Sequence, residues 1–226
     1  MTTQPVDAAR YVAIITDGNG RWAQAHGLSV SQGHRAGADN VKARLRDAAE
    51  LGILELTVFL FSTENWSRPE DEVEGLMSMF AEKIGTETPE LLQMGVRIRF
   101  VGRREGVDPE LLEQMDWAEA TTAHNDRITL FVAFNYGGRA EIVDAAKRFS
   151  AGDEEDFRSL LYAPEMHDPD VIIRTSGERR LSNYLMWQSA YSELIFRDEL
   201  WPDFTRASLE ESLAEFGVRR RRFGGR

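Results

Sequence analysis

Cysteine is absent from this chain. That excludes disulfides and thiolate metal sites, and it fits a reducing, cytoplasmic setting. No stretch approaches the ~20 consecutive apolar residues that a membrane-spanning helix needs. The segment from Met1 to Arg10 has no basic region leading into an apolar one, so no secretory signal is expected. Internal repeats, low-complexity tracts and Pro/Gly-rich linkers are also missing. Basic charge is in deficit: 27 Lys and Arg face 38 Asp and Glu, for a net charge of −11. The deficit argues against broad nucleic-acid binding. It also means that an anionic substrate needs a local cationic pocket or a metal ion.

What is present is a soluble globular composition, 42% hydrophobic and 29% charged over 226 residues, sufficient for the core of one domain. Nearly continuous apolar runs at Tyr11–Ile15, Leu54–Phe61, Val96–Val101, Ile128–Phe134 and Val171–Ile173 predict strands covered on both faces. Helical periodicity lies between and after them, at His34–Leu51, Asp71–Met94, Asp108–His124, Arg139–Ser150, Glu154–Leu161 and Arg206–Phe216. This alternation predicts a single α/β domain over residues 1–226, with a mostly parallel sheet flanked by helices. Pro89 is expected to kink or split the second long helix. The apolar stripe of that helix, Val73, Leu76, Met77, Phe80 and Ile84, suits either core packing or the wall of a ligand tunnel.

Each strand hands over to a polar loop. The first is Asp17-Gly18-Asn19-Gly20-Arg21-Trp22, with a carboxylate at the strand end, two flexible glycines and a guanidinium. In open α/β sheets ligands sit beyond the carboxyl ends of the strands, so this loop suits a phosphorylated substrate carrying a divalent cation. Ser62–Pro69, Asn135–Arg139 and Arg174–Asn183 follow later strands, and together the four predict a phosphate-binding rim. The first loop nearly matches a dinucleotide fingerprint, Gly18-x-Gly20-x-x-Ala23. That reading requires an acidic residue ending the second strand, and Phe61-Ser62 supplies none. His34 is either a helix-start residue or a phosphate donor. Trp66 is either core or an apolar face beside the reacting centre.

With these loops in order, the chain resembles the cis-prenyltransferases, the undecaprenyl diphosphate synthase (isoprenyl transferase) family. The matching segments are IITDGNGRWA, GHRAG, FSTENWSRP, NYGGR, IRTSGE with RLSN, WQSAYSEL, WPDF and RRFGG. The resemblance implies a six-stranded parallel sheet with an apolar tunnel, a homodimer, and Mg2+-dependent addition of isopentenyl diphosphate to an allylic diphosphate with a new cis double bond. It implies that Asp17 carries Mg2+ and that Gly18, Asn19, Gly20, Arg21, Trp22 and His34 contact the allylic diphosphate. It assigns Arg174, Arg180, Leu181 and Ser182 to the isopentenyl diphosphate site and Glu193 to a second metal carboxylate. Ser62, Thr63, Glu64, Trp66 and Arg68 match a substrate loop between the two sites. Asn65 matches the residue that the family assigns to proton acceptance, although a neutral amide is a poor base and suits orientation better. Residues 1–10 are expected to be a flexible N-terminus, and 217–226 a tail reaching the partner subunit. Membrane contact is expected to be peripheral at most.

Some positions depart from the family pattern. Val30 stands where an arginine is usual near the phosphate, and Thr16 replaces a methionine. Leu60 and Phe134 are larger than the alanines of some long-chain members, and the Ser150–Met166 region is short. Bulk in a tunnel stops elongation early, so a short to medium product is expected. Two other readings are a non-catalytic partner subunit and a different phosphate-processing α/β enzyme. Retention of Asp17, Arg174 and Arg180 speaks against the first, and the lack of a nucleophile or a denser carboxylate cluster against the second.

Overall fold

Val12, Ala13, Ile14 and Ile15 are all buried, as a strand covered on both faces requires. They form β1 (Tyr11–Ile15), the centre of the sheet in this computed structural model, which describes residues 9–219. The chain continues through α1 (Asn19–Ala25), α2 (Val30–Glu50), β2 (Glu55–Ser62), a 3-10 turn (Thr63–Ser67) and α3 (Glu70–Gln93). Next come β3 (Val96–Val101), α4 (Pro109–Thr122), β4 (Ile128–Tyr136), α5 (Gly138–Ala146) and α6 (Glu154–Arg158). Last are β5 (Val171–Arg174), β6 (Glu193–Phe196), a short turn (Trp201–Asp203) and α7 (Arg206–Val218).

The six strands are all parallel, in the order β3-β4-β2-β1-β5-β6. Alternate residues serve two apolar layers. Val12, Ile14, Leu56 and Val58 face the layer that includes Leu76 and Phe80 of α3, whereas Ala13, Ile15, Phe59 and Ile172 face the other. Connections leave β1 toward β2 on one side and leave β5 toward β6 on the other. The loops after β1 and β5 therefore meet at a switch point, where such sheets bind ligands. The β2–β4 register breaks at Leu60, with Phe59 opposite Ala133 and Phe61 opposite Phe134. Bulges of this kind re-aim side chains beside functional sites. Here the bulge puts both Leu60 and Phe61 on the α3 side.

The structure corrects several expectations. α2 begins at Val30 rather than His34, because Ser29 and Gln32 form a reciprocal capping box. α3 runs unbroken through Pro89. Ala9 is buried and the Arg10 N–H donates to Asp170 Oδ2 at 2.9 Å, so the expected flexible N-terminus does not extend to these residues. α7 reaches Val218, and Arg219 donates to Glu193 at 2.7 Å, so the expected tail is structured up to 219. Its closing Arg-Phe-Gly-Gly lies outside the described residues.

α1 sits unusually close to α2, and two glycines one turn apart permit it. A Cβ on Gly33 would lie 2.4 Å from the Asn19 carbonyl oxygen, and one on Gly37 would lie 2.3 Å from Asn19 Oδ1. The Gly33 clash is with backbone, so no side-chain movement relieves it. Gly33→Ala should therefore destabilise the fold by about 1–3 kcal/mol, read from the urea midpoint. An unchanged midpoint would show that α1 can shift freely.

Candidate active site

At the switch point, Asp17 follows β1 and Arg174 ends β5. Arg174 is buried, its side chain 5% exposed, and its Nη2 donates to Asp17 Oδ2 at 2.8 Å. Its Nη1 donates to Ser182 Oγ at 2.7 Å and to the Arg180 carbonyl. The Asp17 backbone is fixed separately. Its N–H donates to Thr175 Oγ1 at 3.0 Å, and its carbonyl accepts from Thr175 Oγ1 and from the Trp201 N–H. Gly18 is left-handed, with φ 114°, and a Cβ there would lie 2.9 Å from Leu200 Cδ2. This turn aims the start of α1 at the space above the sheet. Arg21, one turn along α1, lies 3.7 Å from Asp17 Oδ1 and donates to the Ser176 carbonyl at 3.1 Å.

The 3-10 turn after β2 forms the opposite wall. Asn65 Oδ1 accepts from the Ser62 N–H at 2.9 Å, in a reciprocal cap with the Ser62 hydroxyl. The amide oxygen is thus engaged, and the amide that remains is a donor. Glu64 accepts from Asn183 Nδ2 at 2.9 Å. Burial pushes the Glu64 carboxyl up, but hydrogen bonds from Asn183, its own backbone, Ser62 and Thr63 together hold it below the usual carboxylate range. Glu72 of α3 joins the two sides: it accepts from Arg68 Nη1 at 3.0 Å and meets His34 Nε2 at 3.3 Å.

These walls enclose a cavity of 620 Å3. From the sequence-predicted set it is lined by Asp17 to Arg21, His34, Ser62, Glu64, Asn65, Arg68, Arg174 and Ser182. Ile15, Phe59, Leu60 and Leu76 give it an apolar floor. Leu60 also borders a smaller apolar cavity of 90 Å3 deeper between α3, α4 and the sheet. A polar, arginine-bearing mouth above an apolar floor suits an anion with a hydrocarbon tail.

A prenyltransferase family model, described as undecaprenyl diphosphate synthase, matches residues 15–224. The chain belongs to this family. An isoprenyl transferase of Thermotoga maritima is 50% identical, over 96% of this chain and 97% of its own. The (2E,6E)-farnesyl-diphosphate-specific ditrans,polycis-undecaprenyl-diphosphate synthase of Pseudomonas aeruginosa is 45% identical, over 99% of this chain and 93% of its own. Among solved structures, lavandulyl diphosphate synthase of Lavandula x intermedia, in complex with dimethylallyl diphosphate, superposes with a TM-score of 0.91 at 32% identity. That match covers 96% of this chain and 98% of the other. The chain is thus a prenyl transferase.

Not every predicted residue of this prenyltransferase reaches the cavity. The Trp22 indole donates to Asp203 at 2.8 Å and packs on His26. The Trp66 indole donates to Asn135 Oδ1 at 2.8 Å and faces a different cavity, between α3 and α4. Thr63 bonds to Glu64, and Leu181 packs into the second apolar layer. The Arg180 side chain is 61% exposed and pairs with Glu178, so its contribution here is its carbonyl. Glu193 opens β6 in register with Val171, at the opposite end of the parallel strands from Asp17, and is paired with Arg219. Asp17 and Glu193 therefore do not meet as a metal pair within one chain. Val30 borders a separate 280 Å3 crevice that shares His34 and Leu76 with the main cavity. The Asn135–Arg139 loop, expected in the rim, lines none of the main cavity. Glu72 escaped the sequence reading, and Thr175 and Asn183 fell within the expected Arg174–Asn183 rim without an individual role, since each bonds a residue distant in the chain.

Burial is the largest cause and lowers the His34 pKa below 6.5; the hydrogen bond to Glu72 pulls it up, and the nearby Arg68 charge adds a smaller lowering. His34 is then neutral at pH 7. Its folded pKa lies below the unfolded one, so its contribution to stability is present above about 6.5 and lost as the pH falls through the folded value. An NMR titration of the ring should give a midpoint below 6.5. A higher midpoint would mean that Glu72 dominates.

Proposed function

We propose that this prenyltransferase condenses isopentenyl diphosphate with an allylic diphosphate, such as geranyl or farnesyl diphosphate, to give a cis-polyprenyl diphosphate. The observation that carries the reading is the Asp17 carboxylate, set between Arg174 and Arg21 at the mouth of an apolar-floored cavity. The allylic C–O bond breaks, diphosphate leaves, and the isopentenyl double bond attacks the freed allylic carbon. A proton is then lost from the new chain. Arg21, Arg68 and the N–H groups opening α1 bind the leaving diphosphate. Arg174 and Ser182 hold the isopentenyl diphosphate against it, which is orientation catalysis.

The donor set fits a divalent cation. Asp17 is 30% exposed and lines the cavity, with its Oδ1 3.7 Å from Arg21. Magnesium is usually bound by one or two carboxylates together with substrate phosphates and water, and Asp17 would hold it there. When bound, the ion neutralises charge developing on the leaving group. Asn65 is a donor that orients a phosphate oxygen or a water, and a phosphate oxygen takes the proton, because the amide oxygen already accepts from Ser62. Assembly as a homodimer completed by the C-terminal segment belongs to the same reading, as do cytoplasmic placement and at most peripheral membrane contact.

Asp17→Asn keeps an acceptor for Arg174 while removing the charge. It should lower condensation by about a hundredfold or more, and it should also lower the melting temperature, since Arg174 loses its counter-charge, with the variant still unfolding cooperatively. Full activity would refute Asp17 as the metal carboxylate.

Product length follows from the floor. Phe134 packs edge-on against Phe80 at 5.1 Å and stacks on Phe61 at 5.4 Å. Leu60 borders both the main cavity and the smaller apolar one, and Phe80 and Phe134 line the smaller one. The main product should therefore be shorter than an undecaprenyl chain, and Leu60→Ala or Phe134→Ala should lengthen it by at least one isoprene unit. Chromatography of products from labelled isopentenyl diphosphate decides; an undecaprenyl product from the parent enzyme would refute the steric limit.

A further inference from the structure

Gly137 and Gly138 of the Asn-Tyr-Gly-Gly-Arg segment admit neighbours rather than a phosphate. A Cβ on Gly137 would lie 2.6 Å from Thr63 Oγ1 and 2.8 Å from Asn183 Nδ2, and one on Gly138 would lie 2.7 Å from Met186 Cγ. Three segments therefore converge: the 3-10 turn after β2, the start of α5 and the loop after β5. Asn183 lies at their junction. Its carbonyl accepts from the Gly138 N–H at 2.7 Å and its Oδ1 from the Arg139 N–H at 2.8 Å. Its Nδ2 donates to Glu64 Oε1 at 2.9 Å. Gly137, the N-cap of α5, has no side chain to offer, so Asn183 caps that helix from a distant loop. The Asn183 backbone is left-handed, φ 66°, as is that of Ser182, φ 50°. Asparagine tolerates this conformation better than most residues.

We propose that Asn183 is a positioning residue that locks the two substrate loops together. One of its bonds fixes the Ser182 loop to α5, and another fixes the Glu64–Asn65 turn to that loop. Ser182 in turn holds Arg174. Loss of the clamp lets the isopentenyl diphosphate wall drift from the turn carrying Asn65. The kinetic consequence rests on the condensation proposed above; the clamp itself does not.

Asn183→Asp tests this. The substitution keeps an acceptor for Arg139 and tolerance of positive φ, but it sets a carboxylate against Glu64. In the substrate-free protein, amide hydrogen exchange at residues 62–67 should accelerate about tenfold, the scale of one hydrogen bond to a charged group. The KM for isopentenyl diphosphate should rise about tenfold by the same loss, with kcat changed less. In the double variant E64Q/N183D a new amide can donate to the new carboxylate, and exchange protection should return to within about threefold of the parent. Unchanged exchange in N183D, or no recovery in the double variant, would overturn the proposal. If N183D does not fold, Asn183→Gly keeps the backbone conformation, deletes both side-chain bonds and carries the same exchange test. A parent enzyme that makes no condensation product would refute the proposed reaction and leave the exchange result to judge the clamp.

Discussion

The buried guanidinium of Arg174 is the constraint on which the site depends. Desolvating a cation is expensive, and removing one partner of a buried pair typically costs about 3–5 kcal/mol. Here Asp17 Oδ2, Ser182 Oγ and the Arg180 carbonyl each accept one of its hydrogen bonds. Three separate segments are therefore held by one side chain: the turn after β1, the end of β5 and the loop beyond it. Their relative placement is set before any substrate arrives, which is what an orientation catalyst needs. The cost of burying the charge also explains why Asp17 is anchored twice. Thr175 and Trp201 fix its backbone, so its carboxylate can face both Arg174 and the cavity.

Support for this arrangement comes from residues that never touch the cavity. Trp201 donates to the Gly37 carbonyl at 2.8 Å, and Asn40 donates to the Trp201 carbonyl at 2.6 Å. The Trp-Pro-Asp-Phe segment is thereby tied to α2, whose glycines admit α1. In the other layer, buried Glu141 accepts from Tyr136, Gln188 and the Tyr162 N–H. Burial raises the Glu141 pKa, against hydrogen bonds from Tyr136, Gln188 and the Tyr162 backbone. That network joins α5 to the chain beyond Leu185 from beneath, as Asn183 does from above.

Five strands were legible in the sequence because burial on both faces leaves an unbroken apolar run. β6 was not, since Glu193-Leu194-Ile195-Phe196 is a short edge strand whose first residue is charged. α1 was hidden by its glycines: it forms where Gly33 and Gly37 let it pack, a tertiary effect that overrides local propensity. The loops of the site were legible by their position at strand ends. The directions of single side chains within them were not. Trp22 and Trp66 sit among cavity residues in sequence, yet each turns outward to an acceptor, Asp203 or Asn135, that spacing cannot reveal. Glu193 matched a motif, but the sheet register places it at the wrong end of the strands.

The overall charge gives the remaining step. The chain carries a net charge of −11, and its field repels a diphosphate at long range. Within the cavity, Arg21, Arg68 and Arg174 face Asp17 and Glu64. Arg174 is already committed to Asp17, and Arg68 to Glu72. Two diphosphates side by side would bring more negative charge than this balance can neutralise. A divalent cation at Asp17 both supplies the missing charge and offsets the carboxylate that Arg174 requires. The acid that makes burial of Arg174 tolerable is thus also the residue that would hold the proposed cation, and this charge balance supports that proposal.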